Sequence, residues 1–124
     1  MNKLLSRTRL KHVILFGAGL GYLAVALVSW LPAAYRPHIV VVSDKFEHAL
    51  AYLLRGALTA IAARQTLNAY RLALAIVAYA GLLELGQLLI PSRVSSVEDF
   101  VASAAGAIMG VLITTLALRR LARQ

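Results

Sequence analysis

Four long apolar segments divide the chain, and they restrict its possible folds more than any other feature. Each is close to the ~20 residues that an α-helix needs to cross ~30 Å of hydrocarbon. They cover residues 13–31, 46–63, 72–90 and 100–118. Because short loops join them, neighbouring helices are expected to pack antiparallel. The sequence therefore predicts an all-α polytopic membrane protein, with four transmembrane helices in a compact antiparallel bundle and one domain over residues 1–124.

Composition supports a membrane protein and removes several other classes. Hydrophobic residues make up 60% of the chain and charged residues 15%, which excludes a soluble enzyme domain and a disordered tail. The absence of cysteine excludes disulfides, thiol catalysis and Cys-bound metals. The net charge of +8 would indicate nucleic-acid binding only on a soluble basic face. Apolar segments occupy the chain instead, so the expected partner is the lipid bilayer and not nucleic acid.

The basic residues predict the orientation of the four helices, because Lys and Arg are enriched in cytoplasmic loops. Three basic residues, Arg36, Lys45 and Arg93, lie on one side of a four-span arrangement. Nine lie on the other side: Lys3, Arg7, Arg9, Lys11, Arg64, Arg71, Arg119, Arg120 and Arg123. This bias predicts a multi-pass protein with both termini in the cytoplasm.

All five acidic residues fall toward the opposite, outer side. Asp44 and Glu47 begin the second helix, and Glu98 and Asp99 begin the fourth. Glu84 lies six residues before the outer end of the third helix, which is about 9 Å deep at the helical rise. The outer half is therefore the place where chemistry or recognition is expected.

Helical spacing selects the residues that face one another there. On the second helix, Asp44, His48 and Arg55 share a face, while Glu84 and Gln87 are i, i+3 neighbours on the third. Asp99 and Ser103 share a face of the fourth. Since an unpaired charge in mid-bilayer costs ~2.5–3.5 kcal/mol, Arg55 and Glu84 are predicted to face the interior and to pair.

These residues allow several roles. The candidates for acid–base catalysis are Asp44, His48, Glu84 and Asp99, and the sequence leaves open whether the protein is an enzyme. Asp44 with Glu47, and Ser96 with Asp99, also fit helix-capping boxes. The sequence has no paired-histidine spacing typical of metal sites, so neither a metal nor another cofactor is expected. No serine has a recognisable base beside it.

Several short polar motifs follow one another in a fixed order: Asp44-Lys45-x-x-His48, Glu84-x-x-Gln87, Pro91-x-Arg93 and Ser96-x-x-Asp99, followed by Gly106 and Gly110. With this order and spacing, the chain resembles the VanZ-like family of small bacterial membrane proteins. The resemblance covers about half of the chain and departs at Ser103, where the family usually has Asn. It implies a polytopic envelope protein of the bacterial cytoplasmic membrane, in a family whose founding member is linked to teicoplanin resistance.

The residues and the resemblance together favour recognition at the outer side. The predicted ligand is an anionic lipid head group, a lipid-linked wall precursor or a peptide terminus, and the resemblance implies modulation of a glycopeptide-type antibiotic response. Its predicted binding residues are Lys45, Arg55, Gln87, Arg93 and Ser103. The alternatives are a membrane-embedded acid–base enzyme and, less favoured, a small proton-coupled transporter. The spacings Gly17-x-x-x-Gly21 and Gly106-x-x-x-Gly110 allow either internal packing or a homodimer.

Overall fold

The computed structural model describes residues 2–35, 43–63 and 68–124 of the chain. Four α-helices account for most of them. These are α1 (Asn2–Trp30), α2 (Asp44–Ala63), α3 (Ala69–Gln87) and α4 (Val97–Leu121), with a single 3₁₀ turn at Ala33–Tyr35 between α1 and α2. The predicted all-α fold of four helices is confirmed. Arg36 and Arg64, which contribute to the orientation count, lie outside the described residues.

Three of the helices are long and apolar enough to cross a membrane. They are the Thr8–Trp30 part of α1, together with α3 and α4. Helix α2 is 20 residues long, but it carries Asp44, Lys45, Glu47 and Arg55 and is less apolar. It nevertheless lies along α4, with Tyr52, Gly56 and Ala60 buried against its neighbours. One face of α2 is thus buried, while Leu50, Leu54 and Leu58 form an exposed apolar stripe on its other face.

The third helix begins and ends three residues before its apolar segment. It runs from Ala69 to Gln87, and Leu88–Ile90 form a turn before Pro91. A residue that precedes proline is disfavoured in the helical region, which explains why the apolar run outlasts the helix. The other helices extend beyond their apolar segments at one or both ends.

Contacts between the helices give their directions. Tyr22 and Trp30 of α1 lie against Tyr79 and Gly86 of α3 in the same order, so α1 and α3 are parallel. Gly106 and Gly110 of α4 likewise lie against Ala49 and Leu53 of α2, so α2 and α4 are parallel. Phe100, at the start of α4, lies against Gly81 in the second half of α3, which makes these two pairs antiparallel to each other.

Glycines allow α2 and α4 to touch backbone to backbone. A Cβ at Gly106 would overlap the carbonyl oxygen of Ala49, and one at Gly110 would overlap that of Leu53. In α2, a Cβ at Gly56 would lie 2.5 Å from the carbonyl oxygen of Ala107 in α4. The Gly106-x-x-x-Gly110 spacing therefore serves internal packing. Gly17 has no atom within 4 Å of its Cβ position, so the homodimer remains a prediction.

This topology brings one end of every helix together. The end of α1, the start of α2, the end of α3 and the start of α4 meet there, along with the α3–α4 loop. We call it the acidic end, because it carries Asp44, Glu47, Glu84, Glu98 and Asp99.

Candidate functional site

Three ionisable side chains from three different helices converge at the acidic end. His48 of α2, Glu84 of α3 and Asp99 of α4 each offer a nitrogen or oxygen atom that lies within 4.8 Å of the other two. Glu84 is buried, at 7% exposure, and the other two are partly buried. These three residues, called the triad below, are the centre of the candidate site.

Glu84 is held by the loop that connects its helix to α4. Its Oε2 accepts hydrogen bonds from the Ser95 hydroxyl at 3.3 Å and from the Ser96 backbone N–H at 3.1 Å. Ser96 is the N-cap of α4, and its side chain accepts from the N–H of Asp99 at 3.3 Å. Half of the predicted capping box is therefore present. Because Glu84 takes the N–H of Ser96, the Asp99 carboxylate is left available to the site.

His48 is oriented by Ser103 of the parallel helix α4. The distance between His48 Nδ1 and Ser103 Oγ is 3.2 Å, and either atom can donate. Ser103 is 2% exposed and lies one helical turn after Asp99. Sequence reasoning found no base beside a serine, since these two residues are 55 positions apart and only the α2–α4 packing joins them.

Two polar side chains of the site form no hydrogen bond with the described residues. Gln87 is 5% exposed and follows Glu84 by one turn on the buried face of α3. In the part of the chain that the structure describes, its amide forms no hydrogen bond, and the Asp99 carboxylate forms neither a hydrogen bond nor an ion pair. Both groups therefore retain binding capacity for a ligand.

The predicted pair between Arg55 and Glu84 is wrong. Arg55 donates to the carbonyl oxygens of Ala51, at 3.1 Å, and Gly21, and its guanidinium lies 5.9 Å from the ring centroid of Tyr22. Glu84 accepts instead from the loop serines. Backbone carbonyls and an aromatic face thus solvate this arginine, and they fasten α1 to α2.

The tyrosine beside Arg55 extends this network to the third helix. The Tyr22 hydroxyl lies 2.8 Å from that of Thr59, and Tyr79 donates to the Tyr22 carbonyl. The rings of Tyr22 and Tyr79 meet edge to face at 5.0 Å. Arg55 therefore belongs to a structural network that joins α1, α2 and α3.

The two basic residues nearer the surface are also engaged. Arg93, in the α3–α4 loop, donates from Nε and Nη2 to the carbonyl oxygen of Ser29. Lys45 forms an exposed salt bridge with Glu98, 2.6 Å between Nζ and Oε2. The hydrogen bond to Glu98 and the charge of that carboxylate raise the pKa of Lys45.

Asp44 lies apart from the triad. It is the first residue of α2 and is exposed. Ser43, not Asp44, accepts from the N–H of Phe46 at the start of the helix, so the predicted capping role belongs to the preceding residue. Of the four catalytic candidates, the structure brings together His48, Glu84 and Asp99.

The site offers acceptors, a proton carrier and metal-ligand atoms. Imidazole and carboxylate side chains can accept hydrogen bonds from a ligand, transfer protons near neutral pH or coordinate a divalent cation. The arrangement does not present a converging set of arginines, because both described arginines of this region bind backbone carbonyls.

The fold and the site define a multi-pass helical membrane protein with a polar cluster at one end of its bundle. Its sequence matches the VanZ/LLP1 family model over residues 9–118. The chain therefore belongs to the VanZ-like family. No curated protein and no solved structure matches it significantly.

Proposed function

We propose that this protein recognises a polar group of an envelope lipid or of a lipid-linked wall precursor through its acidic end. The observation that carries the proposal is the convergence of His48, Glu84 and Asp99 from three helices. Buried polar groups at membrane depth are costly, and they typically mark sites of binding or transport. We place this end at the outer face of the cytoplasmic membrane, because the basic residues concentrate at the opposite end.

The side chains favour a ligand rich in hydrogen-bond donors. Carboxylates accept hydrogen bonds only, and an ammonium, amide or hydroxyl group supplies the matching donors. In this proposal Gln87 and Ser103 add polar atoms beside the triad, and Lys45 supplies positive charge at the surface for a phosphate. Arg55 and Arg93 act indirectly, since they hold the helices in register.

A lipid-binding measurement tests this proposal. The full chain is purified in nanodiscs, and retention of phosphatidylethanolamine, phosphatidylglycerol and a lipid-linked wall precursor is measured by native mass spectrometry. We expect selective retention of one of these lipids and its loss in Asp99→Asn. Glu47→Gln is the matched control, because it removes the same charge from an acid outside the triad. Equal retention of every lipid by all three proteins would contradict the proposal.

Family membership supports a role in the response to glycopeptide antibiotics. We expect expression of the wild-type chain to raise survival of a susceptible bacterium in a teicoplanin-type antibiotic, and Asp99→Asn at equal membrane abundance to abolish the effect. Full protection by Asp99→Asn would separate the triad from this response.

An acid–base enzyme is the second candidate, and the contact between His48 and Ser103 favours it. A histidine that bonds a serine hydroxyl and lies near a carboxylate can act as a general base. The discriminating measurement is product formation from labelled envelope lipids by the purified protein. Turnover that is lost in Ser103→Ala and His48→Ala would establish catalysis, and binding without turnover would favour recognition.

A further inference from the structure

We propose that the triad of His48, Glu84 and Asp99 binds a divalent cation of the Mn²⁺ or Zn²⁺ class. One imidazole nitrogen and two carboxylates form a mixed nitrogen and oxygen ligand set of the kind these cations use. The three ligands come from α2, α3 and α4. For this reason no short spacing motif in the sequence reveals them.

The distances between the ligand atoms suit such a site. In a tetrahedral site with bonds of ~2.0–2.2 Å, neighbouring ligand atoms are about 3.4 Å apart. The triad atoms lie within 4.8 Å of one another, so closure around an ion requires movements of roughly 1 Å. Rotation about the side-chain bonds of Asp99 provides a movement of this size, because its carboxylate has no hydrogen bond to break among the described residues.

Two of the ligands already have the outer partners that metal ligands require. A ligating histidine usually donates its second ring N–H to a neighbouring acceptor, and ligating carboxylates are themselves hydrogen-bonded. His48 bonds Ser103 through Nδ1, which leaves Nε2 for an ion. Glu84 is bonded twice through Oε2, which leaves Oε1. Each of the two residues therefore keeps a second nitrogen or oxygen atom that no described hydrogen bond occupies.

Gln87 gives a second, independent indication of a ligand. The residue is 5% exposed, and its amide forms no hydrogen bond within the described residues. The described side-chain atom that is fully buried without a partner is Arg55 Nε, so the Gln87 amide keeps enough exposure to contact a small ligand. Because Gln87 lies one turn from Glu84 on the same buried face, a bound ion or its water is a suitable partner for it.

The charge balance also calls for a cation. Neither Glu84 nor Asp99 forms an ion pair with a basic side chain in the described part of the chain. A divalent ion would neutralise both carboxylates, and it would present open coordination positions to phosphate or carboxylate oxygens. Cation binding does not depend on the proposed lipid recognition, since it is measurable without lipid.

The test uses the full chain in detergent without added lipid, after removal of bound metals with EDTA. Mn²⁺ binding is followed by electron paramagnetic resonance, and Zn²⁺ binding by calorimetry. We expect one saturable site per chain. Asp99→Asn should weaken binding at least about tenfold, and Ser103→Ala by about 10–100-fold, as is typical for outer partners of metal ligands. Glu47→Gln should bind like the wild type.

Folding is checked in the same samples by circular dichroism and gel filtration. Asp99→Asn is the principal variant because it replaces a carboxylate that has no hydrogen bond among the described residues with a group of the same shape. Absence of saturable binding by the folded wild type would overturn the cation site and leave lipid recognition standing. Equal binding by folded Asp99→Asn and Glu47→Gln would place any ion outside the triad and overturn it as well.

Discussion

Arg93 closes the end of α1 by binding the carbonyl oxygen of Ser29, with Nη2 at 2.7 Å and Nε at 3.1 Å. The last carbonyls of a helix have no partner within the helix, and the helix dipole makes that end attractive to a cation. Trp30 follows directly and packs against Gly86 of α3, where an added Cβ would lie 2.7 Å from its indole nitrogen. The arginine predicted to bind an external anion thus joins α1 to the α3–α4 loop.

Replacement of Arg93 should loosen α1 at the acidic end. In Arg93→Lys the forked pair of donors is lost, and we expect the free energy of unfolding to fall by about 1.5–3 kcal/mol, the usual contribution of hydrogen bonds to charged groups. The measurement is the denaturation midpoint in mixed micelles. Arg123→Lys, at the exposed C-terminus, is the control and should leave the midpoint unchanged. Equal midpoints for the two variants would contradict this role.

The contact between α2 and α4 should be intolerant of a single methyl group. Gly106→Ala forces the new Cβ into the carbonyl of Ala49, and backbone cannot move aside as a flexible side chain can. We expect a loss of about 1–3 kcal/mol or more, as for other overpacked sites. Gly17→Ala is the matched control in α1, because its Cβ position is open. Thermal unfolding followed by circular dichroism distinguishes the two.

The sequence predicted much of this architecture because its signals are local. The lengths of the apolar segments predicted the helices. Because short loops join the segments, successive helices must alternate in direction, and this puts all five acidic residues at one end of the bundle. The cap that Ser96 provides for Asp99 was also readable, since it spans three positions.

Relationships across helices were harder to predict because they depend on register. The contact between His48 and Ser103 lies about one helical turn from the close approach of α4 to α2 at Gly106, so it depends on how these two helices are aligned. The predicted Arg55–Glu84 pair failed for a similar reason. The helical rise placed Arg55 and Glu84 at similar depths in the membrane. In the structure, however, Arg55 binds a backbone carbonyl of α1, and Glu84 binds the serines of the α3–α4 loop.

Glu84 should be required to hold the α3–α4 loop in place, in addition to its proposed role in ligand binding. Glu84→Leu removes the acceptor for both the Ser95 hydroxyl and the Ser96 N–H. We expect faster amide hydrogen exchange at Ser96 and in the first turn of α4. Glu84→Gln keeps an acceptor oxygen and should preserve most of the protection, while it still removes the negative charge from the triad. Unchanged exchange in Glu84→Leu would contradict the capping role.

The orientation of the bundle can be tested with single cysteines, because the chain contains none. Val94 is 86% exposed in the α3–α4 loop at the acidic end, and Ala122 is exposed just after α4 at the opposite end. If the acidic end faces outward, a membrane-impermeant maleimide should label Val94→Cys in intact cells. The same reagent should reach Ala122→Cys only after the membrane is permeabilised. The reverse pattern would place the triad in the cytoplasm, which would exclude direct contact with ligands at the outer face.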